Sequence, residues 1–187
     1  MIKRVFDILL SLFLIFLFFT PMVILAICIR LTSSGPSWFW SDRVGRDNVL
    51  FTMPKFRTMH IDSPNVATHL MKDPNLYLTP IGGFLRSSSI DELPQLFSVL
   101  KGDLSFVGPR PALYNQIDLI ALRNENGVAR LKPGITGWAQ VNGRDELSIE
   151  EKAYLDEEYL KRRSFIFDCK ILWMTGLKVL LRRGISH

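Results

Sequence analysis

From Val5 to Ile29 almost every residue is apolar, the interruptions being Asp7, Ser11, Thr20 and Pro21. About 20 such residues suffice to span a bilayer as one helix. No small-residue cleavage pattern closes the stretch, so it does not read as a signal peptide. Pro21 has no amide donor and clashes with the preceding turn, which predicts a kink there. Thr20 is placed to satisfy the backbone groups that the proline frees. The two arms would be roughly 24 Å and 14 Å long at about 1.5 Å per residue, each shorter than the hydrocarbon core. Lys3 and Arg4 precede the stretch, and Arg30, Arg43 and Arg46 follow it. Neither flank therefore looks extracellular. Asp7, one turn from Lys3 and Arg4, reads as their ion-pair partner. The pattern leaves two topologies open: one spanning helix, or a re-entrant hairpin turning at Thr20-Pro21.

Beyond Ser33-Ser-Gly-Pro36 the periodicity changes. Trp38–Trp40 and Val49–Met53 read as two short strands around Gly45-Arg-Asp-Asn48. His60 to Tyr77 is a polar surface excursion with a short helix near Val66–Met71. Leu93, Leu96, Phe97 and Leu100 then recur at helical spacing and stop at Lys101-Gly102. Ser89 and Glu92 have the spacing of a capping box for that helix, although Pro94, a first-turn residue, allows a later start. Tyr114–Leu131 reads as a helix broken near Gly127 with its charges on a solvated face. Trp138–Val141 reads as a short strand, and Leu147–Lys161 as a helix with a capping box from Ser148 and Glu151. Ser164 caps a last helix whose Ile166, Cys169, Trp173, Leu177 and Leu180 form one apolar stripe. That stripe suits either a core or a lipid surface.

These elements predict a single α+β domain, rich in helices, with a short β-hairpin and an N-terminal membrane anchor. The anchor takes residues 1–31 and a folded domain with interfacial helices takes 32–187. The net charge of +5 over 187 residues admits lipid, nucleotide or nucleic-acid partners. No aromatic-interleaved basic stretch or nucleic-acid module is present, so phosphate-bearing lipid and nucleotide rank first and nucleic acid is not expected. Cys28 and Cys169 have no metal spacing and make a disulfide framework unlike this chain. His60, His69 and His187 have no ligand spacing either.

Candidate chemistry concentrates in Arg86-Ser-Ser-Ser-Ile-Asp-Glu-Leu-Pro-Gln95 and its continuation to Gly108-Pro-Arg-Pro111. With a helix starting near Ser89, Asp91 falls in its first turn, where free amides and the dipole favour anions. Arg86 and Arg110 flank it, and arginine's planar fork suits phosphate, so the group resembles a diphosphate site. A carboxylate in such a setting can be a nucleophile that forms an acyl phosphate. Lys55 and Arg57, at the end of the second strand, are further candidate phosphate ligands.

The ordered run of these motifs resembles the bacterial sugar transferase family, the monotopic phosphoglycosyl transferases that begin glycan assembly on a polyprenyl phosphate. The pieces are Lys55-Phe-Arg-Thr-Met59, Thr79-Pro-Ile-Gly82, Leu85-Arg86, Asp91-Glu-Leu-Pro-Gln95 and Val107-Gly-Pro-Arg-Pro111. Lys132-Pro-Gly-Ile-Thr-Gly137, Gln140-Val-Asn-Gly-Arg144 and Ser164…Asp168 continue it. Pro54 and Ser87-Ser88 depart from the usual pattern. The resemblance implies a re-entrant helix–break–helix at Thr20-Pro21, placing the chain on the cytoplasmic face of the bacterial inner membrane. It implies transfer of a phosphosugar from a UDP-sugar to polyprenyl phosphate, with release of UMP and with Mg²⁺ held by Asp91. Asp91 is then the nucleophile and Glu92 its partner, with Arg86, Arg110, Arg144, Lys55, Arg57 and Gln140 as phosphate or nucleotide ligands. Later glycan-assembly enzymes are possible partners. Two other functions stay open: a direct-attack transferase without a covalent stage, and a catalytically silent membrane-anchored assembly factor.

Overall fold

The computed structural model describes residues 2–64, 71, 73–143 and 146–181. Its longest element is α1, Ile2–Thr32, a single helix with Pro21 inside it. Helical backbone thus runs unbroken through Thr20-Pro21, which corrects the expected helix–break–helix. A proline removes one amide bond, but the helix's inward stripe keeps its phase on both sides of it. Leu10, Leu14 and Ile15 pack on one hydrophobic cluster, and Phe18, Met22, Leu25, Ala26 and Ile29 on a second. Ser11 and Thr32 return their hydroxyls to carbonyls four residues back, whereas Thr20 makes no such bond among the described residues. The opposite face is bare: Leu9, Phe13, Phe16, Leu17 and Phe19 are all exposed, Phe16 at 85%. Only 11% of the most apolar window of α1 is buried. A helix this apolar and this uncovered marks a membrane protein.

Both ends of α1 are tied to the same folded body. Near its start, Lys3 Nζ donates to Asp168 Oδ2 (2.5 Å), Val107 O (2.9 Å) and Tyr159 Oη (3.1 Å). Arg4 donates to the carbonyls of Val99 and Leu100 at 2.6 and 2.7 Å. Asp7, expected to pair with those two cations, instead accepts from Ser105 Oγ and the Phe106 amide, each at 3.2 Å. Lys3 is taken up by Asp168 and Arg4 by two backbone carbonyls, and the Asp7 carboxylate faces inward instead. Near the other end, Ala26 O accepts from Ser37 Oγ at 2.6 Å, and Met22 and Ile29 pack with Phe56 and Leu85.

After the linker, β1 (Trp38–Val44) and β2 (Leu50–Phe56) form the expected antiparallel hairpin, longer than its apolar core suggested. Gly82–Ser87 is α2. The capping box at Ser89 does not form: Ser89 is left-handed (φ 55°) and its side chain caps nothing. Ile90–Glu92 is a separate 3-10 turn, and α3 runs only from Gln95 to Lys101 behind Pro94. Proline's fixed φ and missing donor make it a natural start, and Gly102, at φ 108°, ends the helix. β3 (Ser105–Val107) and β4 (Gly134–Thr136) form a parallel pair that the apolar pattern did not disclose.

Between them, α4 covers Ile117–Glu125, and Gly127 (φ 68°) makes the expected break before a 3-10 turn at Val128–Arg130. Trp138–Asn142 is a helix, α5, not a strand, because the strand pairing is already completed by Gly134–Thr136. In α6 (Ile149–Arg162) the Ser148–Glu151 capping box forms with both bonds, 2.7 and 3.1 Å. Ser164 Oγ accepts from the Phe167 amide at the start of α7, Phe165–Leu181. Ile171 on α7 is fully buried, while Ile166 and Trp173 stand exposed, so one face is core and the other is bare apolar surface. Of the short helix expected near 66–71, all but residue 71 lies outside the described residues.

Candidate active site

Lys55 is placed by the hairpin. In the β1–β2 register it lies opposite Phe39, so it shares a face with Ser41, Met53 and Arg43. Its Nζ donates to Glu92 Oε1 at 2.7 Å, and both side chains are mostly buried. The same carboxylate oxygen accepts from Arg110 Nη2 at 3.3 Å. Glu92 therefore draws a strand lysine and a loop arginine together on one side of the 3-10 turn. Arg86, in the last turn of α2, donates from Nε to Thr58 Oγ1 at 3.0 Å and from Nη2 to Met59 Sδ at 3.6 Å. Burial lowers its pKa, and the nearby Asp91 opposes that shift.

Asp91 occupies the middle of this arrangement. It is 7% exposed, yet its carboxylate accepts no hydrogen bond among the described residues. Burial pushes its pKa up to about 6, with Lys55 opposing, Glu92 adding, and Arg86 and Arg110 opposing. Its position in an isolated 3-10 turn removes the helix-dipole stabilisation that the sequence suggested. The carboxylate is instead desolvated and faces cations without being spent on any of them. A carboxylate of this kind is set up to bond an electrophile or a cation.

The remaining candidates separate. Arg57 is 5% exposed and donates to Pro36 O (2.6 Å), Ser33 Oγ (2.9 Å) and Ser33 O (3.1 Å), clamping the linker after α1. Its Nη1 is buried without a hydrogen-bond partner among the described residues. In Gln140 both amide atoms are buried and have no hydrogen-bond partner among the described residues. It lies beside the Arg110 turn, since a Cβ at Gly137 would fall 2.7 Å from Gln140 Oε1 and 2.1 Å from Gly108 O. Arg144 lies outside the described residues.

Two groups escaped the sequence reading. Arg43 stands in the sequence only as a charge flanking the apolar stretch, but its Nη1 donates to Pro111 O at 3.3 Å. Burial and Arg110 lower its pKa to about 10 while Glu92 opposes, so it belongs to the same field. Strand parity with Lys55 was the available signal, once β1 is extended past Trp40. Arg123, assigned to a solvated face of α4, is instead bound to Asp156, whose side chain is 1% exposed. Two carboxylates thus face Lys55, Arg86, Arg110 and Arg43, an excess of positive charge that suits a diphosphate.

A sequence model described as bacterial sugar transferase matches residues 1–182. An uncharacterized sugar transferase of Bacillus subtilis (strain 168), EpsL, is 43% identical over 188 residues, covering 100% of this chain and 91% of that protein. An undecaprenyl-phosphate galactose phosphotransferase of Salmonella typhimurium is 36% identical, covering 100% of this chain and 42% of its own length. A UDP-glucose:undecaprenyl-phosphate glucose-1-phosphate transferase of Escherichia coli (strain K12) is 37% identical, covering 95% of this chain and 40% of that protein. The chain spans about two fifths of the length of these two enzymes.

Proposed function

The chain belongs to the bacterial sugar transferase family, and from that premise we propose that it moves a sugar 1-phosphate from a UDP-sugar to polyprenyl phosphate, releasing UMP. What carries the chemistry is Asp91, a desolvated carboxylate with no hydrogen bond among the described residues, set among Lys55, Arg86 and Arg110. Cations at this spacing hold the diphosphate without neutralising the nucleophile. An Asp91 oxygen attacks the β-phosphorus, the bond to the bridging oxygen breaks, and the electron pair leaves with UMP. The sugar phosphate is then an acyl phosphate on Asp91. A phosphate oxygen of the polyprenyl phosphate attacks the same phosphorus, which restores the carboxylate and leaves the sugar on a lipid diphosphate. Glu92, bonded to Lys55 and Arg110, keeps both cations in place throughout.

Asp91 also fits Mg²⁺ by donor chemistry, since that ion takes one or two carboxylates from protein and fills its shell with phosphate oxygens and water. No cluster of three metal-ligating side chains exists among the described residues, so substrate phosphates complete such a site. When bound, the ion supplies charge neutralisation to the diphosphate.

The chain sits on the cytoplasmic face of a bacterial inner membrane with α1 entering one leaflet, so that a lipid acceptor meets the site at headgroup depth. This is supported by the bonds that hold both ends of α1 to one body, Lys3 and Arg4 at one end and Ala26 and Ile29 at the other. Later glycan-assembly enzymes are the natural consumers of the lipid-linked product.

A panel of UDP-sugars, offered without lipid, tests the reaction. The correct donor releases UMP and adds one phosphosugar mass to the peptide containing Asp91. Release that requires the lipid indicates direct attack, and an adduct on Glu92 reassigns the nucleophile. No UMP release from any donor, with or without lipid, leaves an assembly factor. Labelling of Ile2→Cys from the periplasmic side of intact cells is expected to fail; ready labelling would mean that α1 spans.

A further inference from the structure

Arg110 reaches the site from a turn that is held from behind by backbone-directed contacts. Arg123 Nη1 donates to Arg110 O at 2.9 Å, Arg43 Nη1 to Pro111 O at 3.3 Å, and the Val44 amide to Ala112 O at 2.9 Å. The first of these is anchored most deeply. Arg123 also donates from Nε and Nη2 to the single oxygen Asp156 Oδ2, at 2.9 and 2.6 Å. Asp156 is fully buried on α6, and its other oxygen, Oδ1, has no hydrogen-bond partner among the described residues.

A buried ion pair with one carboxylate oxygen left unpaired is a poor source of stability, because desolvation offsets the attraction. Arg123 nevertheless joins three elements at once: α4 on which it sits, α6 through Asp156, and the Arg110 backbone. From Arg110 the chain of bonds continues to Glu92 Oε1 at 3.3 Å and on to Lys55 at 2.7 Å. The Arg110 guanidinium is held at its far end by Glu92 and its backbone at the near end by Arg123. Freeing either end lets the phosphate-binding fork drift.

We propose that Arg123 and Asp156 are a positioning pair that fixes Arg110 for the diphosphate, an inference that rests on the phosphosugar-transfer reading. Neither residue need touch substrate. Misplacement of a catalytic group by about 1 Å costs on the order of a hundredfold in rate. Losing the pair is therefore expected to lower kcat/KM for UMP release by about ten- to a hundredfold.

A merely structural pair joining α4 to α6 predicts something different, and a mutant cycle separates the two. Arg123→Met combined with Asp156→Leu replaces the ion pair with apolar groups, a change that buried pairs tolerate without loss of stability. The expected result is a near-unchanged melting temperature with the stated fall in kcat/KM. In an Arg110→Ala background the same pair of changes is expected to cost less than about threefold, since there is no fork left to position. An unchanged kcat/KM, or an equal loss with and without Arg110, overturns the proposal. If the apolar pair fails to fold, Asp156→Asn takes its place in the same cycle, with the same two outcomes decisive. UMP affinity is measured by equilibrium dialysis on the same four proteins. A wild-type chain that binds UMP but releases none from any UDP-sugar refutes the transfer reaction alone. The affinity cycle then decides the positioning pair, non-additivity with Arg110 supporting it and additivity overturning it.

Discussion

Asp91 and Asp168 are almost equally buried, at 7% and 6% exposure, and both face cations, yet their surroundings differ completely. Asp168 receives Lys3 Nζ on one oxygen at 2.5 Å and Tyr159 Oη on the other at 2.7 Å. Its charge is used up in tying the start of α1 to α6 and α7. Asp91 has cations at a distance and no hydrogen bond among the described residues, and burial raises its pKa to about 6. Burial alone thus does not identify a reactive carboxylate. What distinguishes the two is whether the acceptor capacity of the buried oxygens has been spent. Where it is spent the group is a joint; where it is withheld the group is available to phosphorus or to a cation.

The sharpest way to break this contrast is Asp91→Asn. The amide keeps the size and removes the anionic oxygen, so UMP release is expected to fall by at least about a thousandfold. The same change is expected to stabilise the folded chain near pH 7.5. The folded-state pKa lies above the ordinary 3.8, so between about 4 and 6 the folded protein keeps a proton that the unfolded chain has lost. Stability from this group is present below about pH 4 and is lost as pH rises through about 6. Relative to Asp91→Asn, wild type should be nearly equally stable at pH 3.5 and less stable by about 3 kcal/mol at pH 7.5. Chemical denaturation at the two pH values reads the difference, and a destabilised Asp91→Asn at pH 7.5 would refute the desolvated state described for Asp91.

The pH profile is the next largest effect. An attacking carboxylate must be ionised, so kcat/KM is expected to fall about tenfold per unit below pH 6 and to level off above pH 7. A flat profile between pH 5 and 7 would mean that some other group carries the attack. Asp168→Ala should act oppositely to Asp91→Asn, lowering stability while leaving the chemistry of the surviving folded protein intact. It removes the anionic partner of Lys3 and the acceptor of the Tyr159 hydroxyl, leaving Lys3 only neutral oxygens, a loss of about 2 kcal/mol. Thermal melts in detergent, set beside activity per folded molecule, check both halves.

The sequence disclosed which residues the fold gathers around Asp91 better than how it holds them. Asp91, Glu92, Arg86 and Arg110 were legible because their types and order along the chain carry the phosphate chemistry. Lys55 was legible as a strand end, and its contact with Glu92 follows from the hairpin register. The helix at Leu93–Leu100 was legible by period, but its start was misplaced: Ser89-x-x-Glu92 has the right spacing for a cap, and Pro94 moved the start to Gln95. That shift withdrew the dipole from Asp91 and left burial to set its pKa, a reversal that no local pattern encodes. Arg123 and Asp156 were hidden because they lie 33 residues apart on two helices. Each reads as a surface charge until α4 and α6 are packed together. The partners of Asp7 are hidden for a related reason. Its sequence neighbours Lys3 and Arg4 were near enough, but tertiary packing gave them Asp168 and the α3 carbonyls instead.

The smallest expected effect probes the Asp168 joint with the least disturbance. Tyr159 Oη donates to Asp168 Oδ1 at 2.7 Å and accepts from Lys3 Nζ at 3.1 Å, while its ring stacks on Phe167 with centroids 6.0 Å apart. Tyr159→Phe deletes the hydroxyl and keeps the ring. The Lys3–Asp168 bond itself survives, so the loss is the bond the hydroxyl donates to Asp168 and the one it accepts from Lys3, about 1 to 2 kcal/mol together. Burial and the neighbouring Asp168 carboxylate both raise the phenol's pKa, so it stays protonated across the working range. The cost should therefore be the same at pH 6 and pH 8.5. Activity per folded molecule should be unchanged, because the joint holds α1 to the body without touching Asp91. A Tyr159→Phe chain that melts normally but loses more than about tenfold in UMP release would place this joint within the catalytic machinery and dissolve the distinction between the two aspartates.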